Sequence, residues 1–284
     1  MLTEVKAGDF TVRGMSLGGI YTALHVPELH AAFDAGWPLR TAAGVRRLFL
    51  SHGHVDHAGA LPALLGVRAL FGNPKPLIVH LPAEIAGPLG DALAATSTMQ
   101  RYQLAVDMVP MAPGDQVALS GDLAVRAFRT YHPVPSLGYL LVRRISKLRP
   151  ELVGLPGPEI AARRRAGEEV SVMSERLELA YATDTLAVVL DREPSLYEVR
   201  VLVLECTFLD GRKSLADARA GCHIHLDELI ERADKFQNDA IVLMHFSQLY
   251  RPDEVRDILA RRLPDRLKGR VIPFTPRGSE WPGG

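Results

Sequence analysis

The chain has 284 residues, 47% hydrophobic and 23% charged, with 33 Lys plus Arg balancing 33 Asp plus Glu. That is the make-up of a globular protein with a full core, and its zero balance gives no global field to gather nucleic acid or acidic lipid. Two cysteines form neither a disulfide framework nor a CxxC metal knuckle, no apolar run reaches the ~18 residues of a membrane helix, and "MLTEVKAGDF" lacks the pattern of a secretory signal, so a soluble cytoplasmic protein without a membrane partner is expected.

Short apolar runs alternate with amphipathic segments, the pattern of an α/β protein. Near the start, "FDAG" (33–36) sets an aspartate, Asp34, at an apolar junction. "RLFL" (47–50) reads as a buried strand and runs straight into "SHGHVDHAG", which places His52, His54, Asp56 and His57 within six residues. A helical pattern follows over 59–71, then a strand over 76–81. "LAVRAFRTY" (123–131) ends at His132, and "LGYLLV" (137–142) follows it. The segment 143–170 breaks the strand rhythm: it carries three prolines, with seven basic against two acidic residues between Arg143 and Arg165. "LELAYA" (177–182) leads to Asp184, "VRVLVLE" (199–205) ends at Glu205, and "AIVLMH" (240–245) ends at His245. Helices are expected over 225–236 and 252–263, and "TPRGSEWPGG" reads as a loose tail. There is no internal repeat, and one domain over residues 1–284 is expected, with a basic Pro-Gly arm at about 143–170.

Residues at strand ends of an α/β sheet converge on one rim, where loops shape a cleft. Imidazoles with carboxylates suit Zn, Mn or Fe rather than Ca. A lone His132 or His245 is more often a hydrogen-bonded core histidine than a ligand. Their value lies in falling where the His52 cluster needs partners. Cys206 and Cys222 read as small packing residues.

"SHGHVDHAG" resembles the signature of the metallo-β-lactamase superfamily, which implies an αββα sandwich with a dinuclear metal site at the sheet edge. "YHPVPSLGY" (131–139), "TDT" (183–185), "ECTF" (205–208), "GCHIH" (221–225) and "HFSQLY" (245–250) resemble, in order, later motifs of ribonuclease Z, the tRNA 3′-processing endonuclease. The likeness runs from about Leu48 to Tyr250, and "GLPGPEIAARRRAGEEV" resembles that family's tRNA-gripping arm.

The resemblance implies one metal held by His52, His54 and His132, a second by Asp56, His57 and His245, and Asp184 bridging them. Two Zn²⁺ are expected, with Mn²⁺ or Fe²⁺ as alternatives, about 3.5–4 Å apart and clamping the attacking and leaving oxygens. Asp56 would also orient the nucleophile, and Asp34 would brace the metal loops. Glu205 and His223 match the pair that protonates the leaving group, with His225 as the other choice within "GCHIH". Ser136, Gly138, Tyr139 and Ser247 are expected to touch substrate, and Arg163 to Arg165 to approach a phosphate backbone.

Four departures stand out, the first being that the family's Asp-Cys-Gly-Glu-Gly-Thr-Gln block is reduced to "FDAGWP" (33–38). No Pro-x-Lys-x-Arg-Asn loop precedes the metal motif, the arm is abbreviated, and Leu249 replaces the arginine of Ser-x-Arg-Tyr. The expected function is zinc-dependent phosphodiester hydrolysis, on tRNA, another RNA or a small diester, by a homodimer. A lactone or thioester hydrolase of the same fold is the enzymatic alternative. A non-catalytic, metal-stabilised RNA-binding module is the other.

Overall fold

The strands Val201–Glu205 and Ala240–Met244 are apolar at every position but one, and every residue in them is buried. A strand reads this way when both of its faces are covered. The computed structural model, which describes residues 2–73 and 75–283, shows what covers them.

Two seven-stranded sheets lie face to face. The first holds β1 (Thr3–Ala7), β2 (Phe10–Leu17), β3 (Tyr21–Val26), β4 (Ala31–Phe33), β5 (Arg47–Phe49), β6 (Leu77–Pro82) and β7 (Val106–Met111), in that order. The second holds β8 (Gln116–Ser120), β9 (Leu123–Arg129), β10 (Leu137–Leu148), β11 (Ser171–Ala182), β12 (Val201–Glu205), β13 (Ala240–Met244) and β14 (Val271–Pro273) as sequential neighbours. Each sheet starts as an antiparallel meander, β1 to β4 and β8 to β11, and continues with parallel strands.

Parallel neighbours need crossovers, usually helical. Here they include α1 (Val55–Ala58), α2 (Leu61–Leu70) and α3 (Ala83–Gln100) on the first sheet. A short helix in the arm, α4 (Gly157–Arg165), is followed by α5 (Val188–Arg192), α6 (Ser195–Glu198), α7 (Leu215–Ala220), α8 (Leu226–Glu231) and α9 (Pro252–Arg262) on the second. Alternation along β12 sends Val201 and Val203 between the sheets, and Leu202 and Leu204 under the outer helices. The same split holds for Val242 and Met244 against Ile241 and Leu243 in β13. The layers are therefore α, β, β, α. Each fully buried Val or Leu contributes about 1.5–3 kcal/mol, so a charged substitution at Val203 would open the inter-sheet core.

This topology places the chemistry. Strands β9, β11, β12 and β13 run the same way, because β10 is antiparallel to both β9 and β11, and β11 to β13 are parallel. Their C-terminal ends share one rim, to which β5 delivers the His52 loop: Leu137 N–H donates to Ser51 O at 2.9 Å.

The structure corrects two expectations. The arm segment does not end the strand rhythm: β10 continues to Leu148 and β11 begins at Ser171, so the arm is a long hairpin carrying α4. The tail is not loose. The Trp281 indole donates to Tyr250 O at 2.7 Å, the Tyr21 hydroxyl to Pro282 O at 2.6 Å, and Arg256 to Pro276 O at 2.7 Å. No helix among the described residues is long and apolar enough to cross a membrane.

Candidate metal centre and active site

Two groups of donor atoms at the rim hold the seven expected ligands, and a third, Glu205 with His223 and His245, adjoins them. His52 Nε2, His54 Nδ1, His132 Nε2 and Asp184 Oδ2 form one, with His52 and His132 each 3.1 Å from His54 Nδ1. Asp56, His57, Asp184 and His245 form the other, with His57 Nε2 and His245 Nε2 3.3 Å apart and each 3.2 Å from Asp184 Oδ1. A tetrahedral cation with bonds of about 2.0–2.1 Å holds its donors roughly 3.3–3.4 Å apart. The spacings fit that requirement closely. Asp184 spans both groups, its Oδ2 lying 3.7 Å from His52 Nε2 and 3.8 Å from His132 Nε2.

The surrounding hydrogen bonds also set which nitrogen faces inward. Asp34, left-handed at φ 56° at the end of β4, accepts from Ser51 N–H (2.6 Å), Ser51 Oγ–H (2.8 Å), Tyr181 O–H (2.5 Å) and the His57 Nδ1 side (2.7 Å). A carboxylate acceptor at Nδ1 puts the His57 proton there and leaves Nε2 a bare lone pair. Ser51, having given its own proton to Asp34, faces His52 Nδ1 at 3.0 Å as an acceptor, with the same result. The next turn must hug helix α1: Ala35 N–H donates to His57 O at 2.6 Å, and a Cβ on Gly36 would fall 1.7 Å from Asp56 O. Only glycine fits. Asp184 and His245 are likewise left-handed, at φ 43° and 60°, a sparsely populated conformation that recurs at ligand clamps.

Burial alone would push the Asp184 carboxyl up, but the imidazoles of His245 and His57 outweigh it and hold it well below the usual carboxylate range. That array of charge is the setting a cation would complete.

Beside the donors, Glu205 at the end of β12 is fully buried. Its Oε1 accepts from Thr185 N–H at 2.6 Å and faces His223 Nδ1 at 3.1 Å, and its Oε2 accepts from Ile224 N–H at 3.2 Å. The His223 ring stacks 5.4 Å from His245 and lies 5.7 Å from His132. Burial lowers its pKa, but Glu205 outweighs that and carries it up to about 9. His225 is employed elsewhere. It caps α8, accepting Asp227 N–H on Nδ1 at 3.2 Å, and its Nε2 faces Asp210 O at 3.2 Å. Of the two histidines, His223 is the one aimed at the donor cluster.

The remaining expected contacts separate. Ser136 stays at the rim, accepting from Thr130 Oγ–H at 2.7 Å, and lines a groove of about 510 Å³ with His132, Glu84 and Arg129. Ser247 follows His245, its N–H donating to Thr207 O at 2.9 Å. Gly138 and Tyr139 are not brought to the cleft. Gly138 is a packing site, since a Cβ there would meet the Phe128 ring at 2.1 Å. Tyr139 is fully buried between the sheets and its hydroxyl donates to Leu50 O at 2.6 Å, bracing the metal loop from below. Ser51, Tyr181 and Thr207, which no motif singled out individually, do the same kind of work. Ser51 adjoins His52 and Thr207 stands two residues after Glu205, whereas Tyr181 carries no such signal.

The model of the beta-lactamase superfamily domain matches residues 26–246. The tRNase Z TRZ1 of Arabidopsis thaliana is 35% identical over 268 residues, covering 94% of this chain and 95% of that protein. The chain belongs to the ribonuclease Z family. The short form of human tRNase Z shares the fold, with a TM-score of 0.55 at 19% identity over 83% of this chain and 92% of that one. So does the metallo-beta-lactamase fold protein YhfI of Bacillus subtilis, with a TM-score of 0.57 at 13% identity over 96% and 95%. Like its ribonuclease Z relatives, the chain is a metal-dependent hydrolase of endoribonuclease type.

Within the ribonuclease Z frame, Leu249 leaves the last motif without its arginine, yet a guanidinium still sits there. Arg212 lies over the Tyr250 ring at 4.4 Å and donates to Leu249 O at 3.0 Å, held in place by Asp210 and Glu254. In the arm, Arg143 is bound by Glu178 and Asp122, Arg149 by Glu169, and Arg163 by Glu159 and Glu168. Arg144, Lys147, Arg164 and Arg165 are exposed and form no ion pair among the described residues.

Proposed function

We propose that this protein is a zinc-dependent tRNA 3′-processing endonuclease that cleaves one phosphodiester bond of a precursor tRNA. The observation that carries this reading is the Glu205–His223 pair standing against the donor cluster. An expelled ribose alkoxide needs a proton, and a buried carboxylate–imidazole pair beside the donors is placed to give it, whereas a thiolate expelled from a thioester would need none.

Seven side chains would hold the cations: His52, His54 and His132 on one side, Asp56, His57 and His245 on the other, with Asp184 shared. Seven donors exceed the four that close a structural zinc site. Two such cations, when bound, supply Lewis acidity and make water a nucleophile at neutral pH. The chain's own residues do the rest. Asp56, half-buried at the mouth of the cluster, orients the attacking water. His223, protonated at neutral pH because Glu205 carries its pKa to about 9, gives a proton to the departing oxygen. Glu205 keeps that ring aimed through its bond to Nδ1, leaving Nε2 as the donor. Ser136 and Ser247 flank the scissile phosphate. The free cations Arg144, Lys147, Arg164 and Arg165 on the arm meet the tRNA backbone at a distance, supplying the local patch that a chain of zero net charge needs.

A turnover panel tests the reading: a precursor tRNA, bis-p-nitrophenyl phosphate and an acyl lactone, each with zinc-loaded protein. Cleavage of the first two with an inert lactone is the expected result. Lactone turnover with both phosphodiesters inert would overturn it.

A further inference from the structure

We propose that Thr207 is a positioning residue whose single hydroxyl couples the metal-facing histidine His245 to the Glu205–His223 pair. Glu205 is ringed by donors, taking Thr185 N–H, Ile224 N–H and the His223 ring, so it acts as an acceptor. Thr207 Oγ lies 2.6 Å from Glu205 Oε2 and has one proton, which goes there. Toward His245 Nδ1, 3.1 Å away, Oγ then presents only lone pairs. Nδ1 must carry the proton, and Nε2 faces His57 and Asp184 as a bare lone pair, the form a cation needs. Thr207 is 4% exposed and no other group among the described residues bonds Nδ1, so water has little room to replace it.

The same device occurs once more in the molecule. Asp34, Ser51 and His52 form a carboxylate, hydroxyl and imidazole in line, at 2.8 and 3.0 Å. Glu205, Thr207 and His245 repeat it from the other sheet, at 2.6 and 3.1 Å. They differ in where the carboxylate's second oxygen goes. Asp34 spends its remaining bonds on Ser51 N–H with Oδ1, and on His57 and the Tyr181 hydroxyl with Oδ2. Glu205 turns Oε1 to His223. One line of hydrogen bonds therefore runs His245–Thr207–Glu205–His223, and the charge on Glu205 is felt at both ends.

The test is zinc affinity, read by competition with a chromogenic chelator. Thr207→Val keeps the branched shape and removes the hydroxyl. It should weaken one of two ions by about 10–100-fold and spare the other, and Thr207→Ser should restore it. Glu205→Gln touches no proposed ligand, yet should weaken the same ion in the wild-type background and add little in the Thr207→Val background. Non-additivity of that kind marks a relay, which a merely structural threonine would not give. Wild-type affinity for both ions in Thr207→Val would overturn the proposal. So would Glu205 and Thr207 effects that simply add, or a Ser variant as weak as Val. The leaving-group end of the relay rests on the phosphodiesterase reading, but the zinc titration does not. If no phosphodiester is turned over while the affinities shift as expected, that reading fails and the relay stands.

Discussion

The two sheets build their shares of the site in opposite ways. The first supplies four donors from six consecutive residues, His52 to His57, fixed by a local web around Asp34. The second supplies one donor per strand end, His132 after β9, Asp184 after β11 and His245 after β13, spread over more than a hundred residues. The local share depends on a turn and its hydrogen bonds. The dispersed share depends on a whole sheet holding register. Damage should therefore look different on the two sides, and four experiments exploit that.

The largest effect is expected at Asp184, the one donor reaching both groups. Asp184→Ala should reduce metal content from about two ions per chain toward none, with turnover down on the order of 10³-fold, by elemental analysis and kinetics. His132→Ala should lose one ion. Equal losses in the two variants would remove the bridge, and one ion per intact chain at saturating zinc would remove the dinuclear site.

Next comes the acid. His223→Ala should leave metal content near wild type while slowing an alkyl phosphodiester by about 10²–10⁴-fold, and a p-nitrophenyl diester far less. Since the Glu205 carboxylate raises this pKa, His223 is protonated below about 9 and loses its proton as pH rises through it. The wild-type rate on the poor leaving group should fall in that range, and the mutant should lack the fall. A His225→Ala variant with the leaving-group pattern instead would move the acid by two residues.

Asp34→Asn comes third. Asp34 serves His57 directly and His52 through Ser51, one in each donor group. Both ions should weaken by about 10–100-fold, where Thr207→Val weakens one. A chelator titration showing only one weakened ion in Asp34→Asn would erase the contrast between the two halves.

The smallest effect belongs to the arm. Neutralising Arg164 and Arg165 should flatten the log–log salt dependence of tRNA binding by roughly 0.7–0.9 per lost contact, with aryl diester hydrolysis unchanged. Arg163, already held by Glu159 and Glu168, should matter less. Loss on both substrates would mean damage to the cleft.

The contrast between halves also explains what could be read from residues alone. Four donors in six positions are legible anywhere. His132, Asp184, Glu205 and His245 were legible only as punctuation at the ends of doubly buried strands, whose unbroken apolar runs betray the layers on either side. Helix α3 was hidden because Gly87, Pro88 and Gly90 sit inside it and read as breakers. Among β1 to β4, β4 was hidden by its three-residue length and β2 by Gly14 in its middle, where a Cβ would meet Ala23 O at 2.0 Å. Tyr139 was misplaced for a different reason. Within "SLGYLL" both faces are buried, so alternation cannot tell a hydroxyl aimed at a cleft from one tied to Leu50 O. His223 and His225 were indistinguishable by spacing, and only the capping of α8 separates them.

The two sheets are joined by a single crossing of the chain, residues 112–115, and neither ladder borrows a strand from the other. They are leaves of a book with one covalent hinge, and the seven donors sit where the pages meet, four on one leaf and three on the other. A cation gripped from both sides is then a clasp. Binding at a thousandfold over its dissociation constant would add about 4 kcal/mol to the stability of the folded chain. Metal supply would then set how firmly the two leaves are held together, as well as whether the site has chemistry to do.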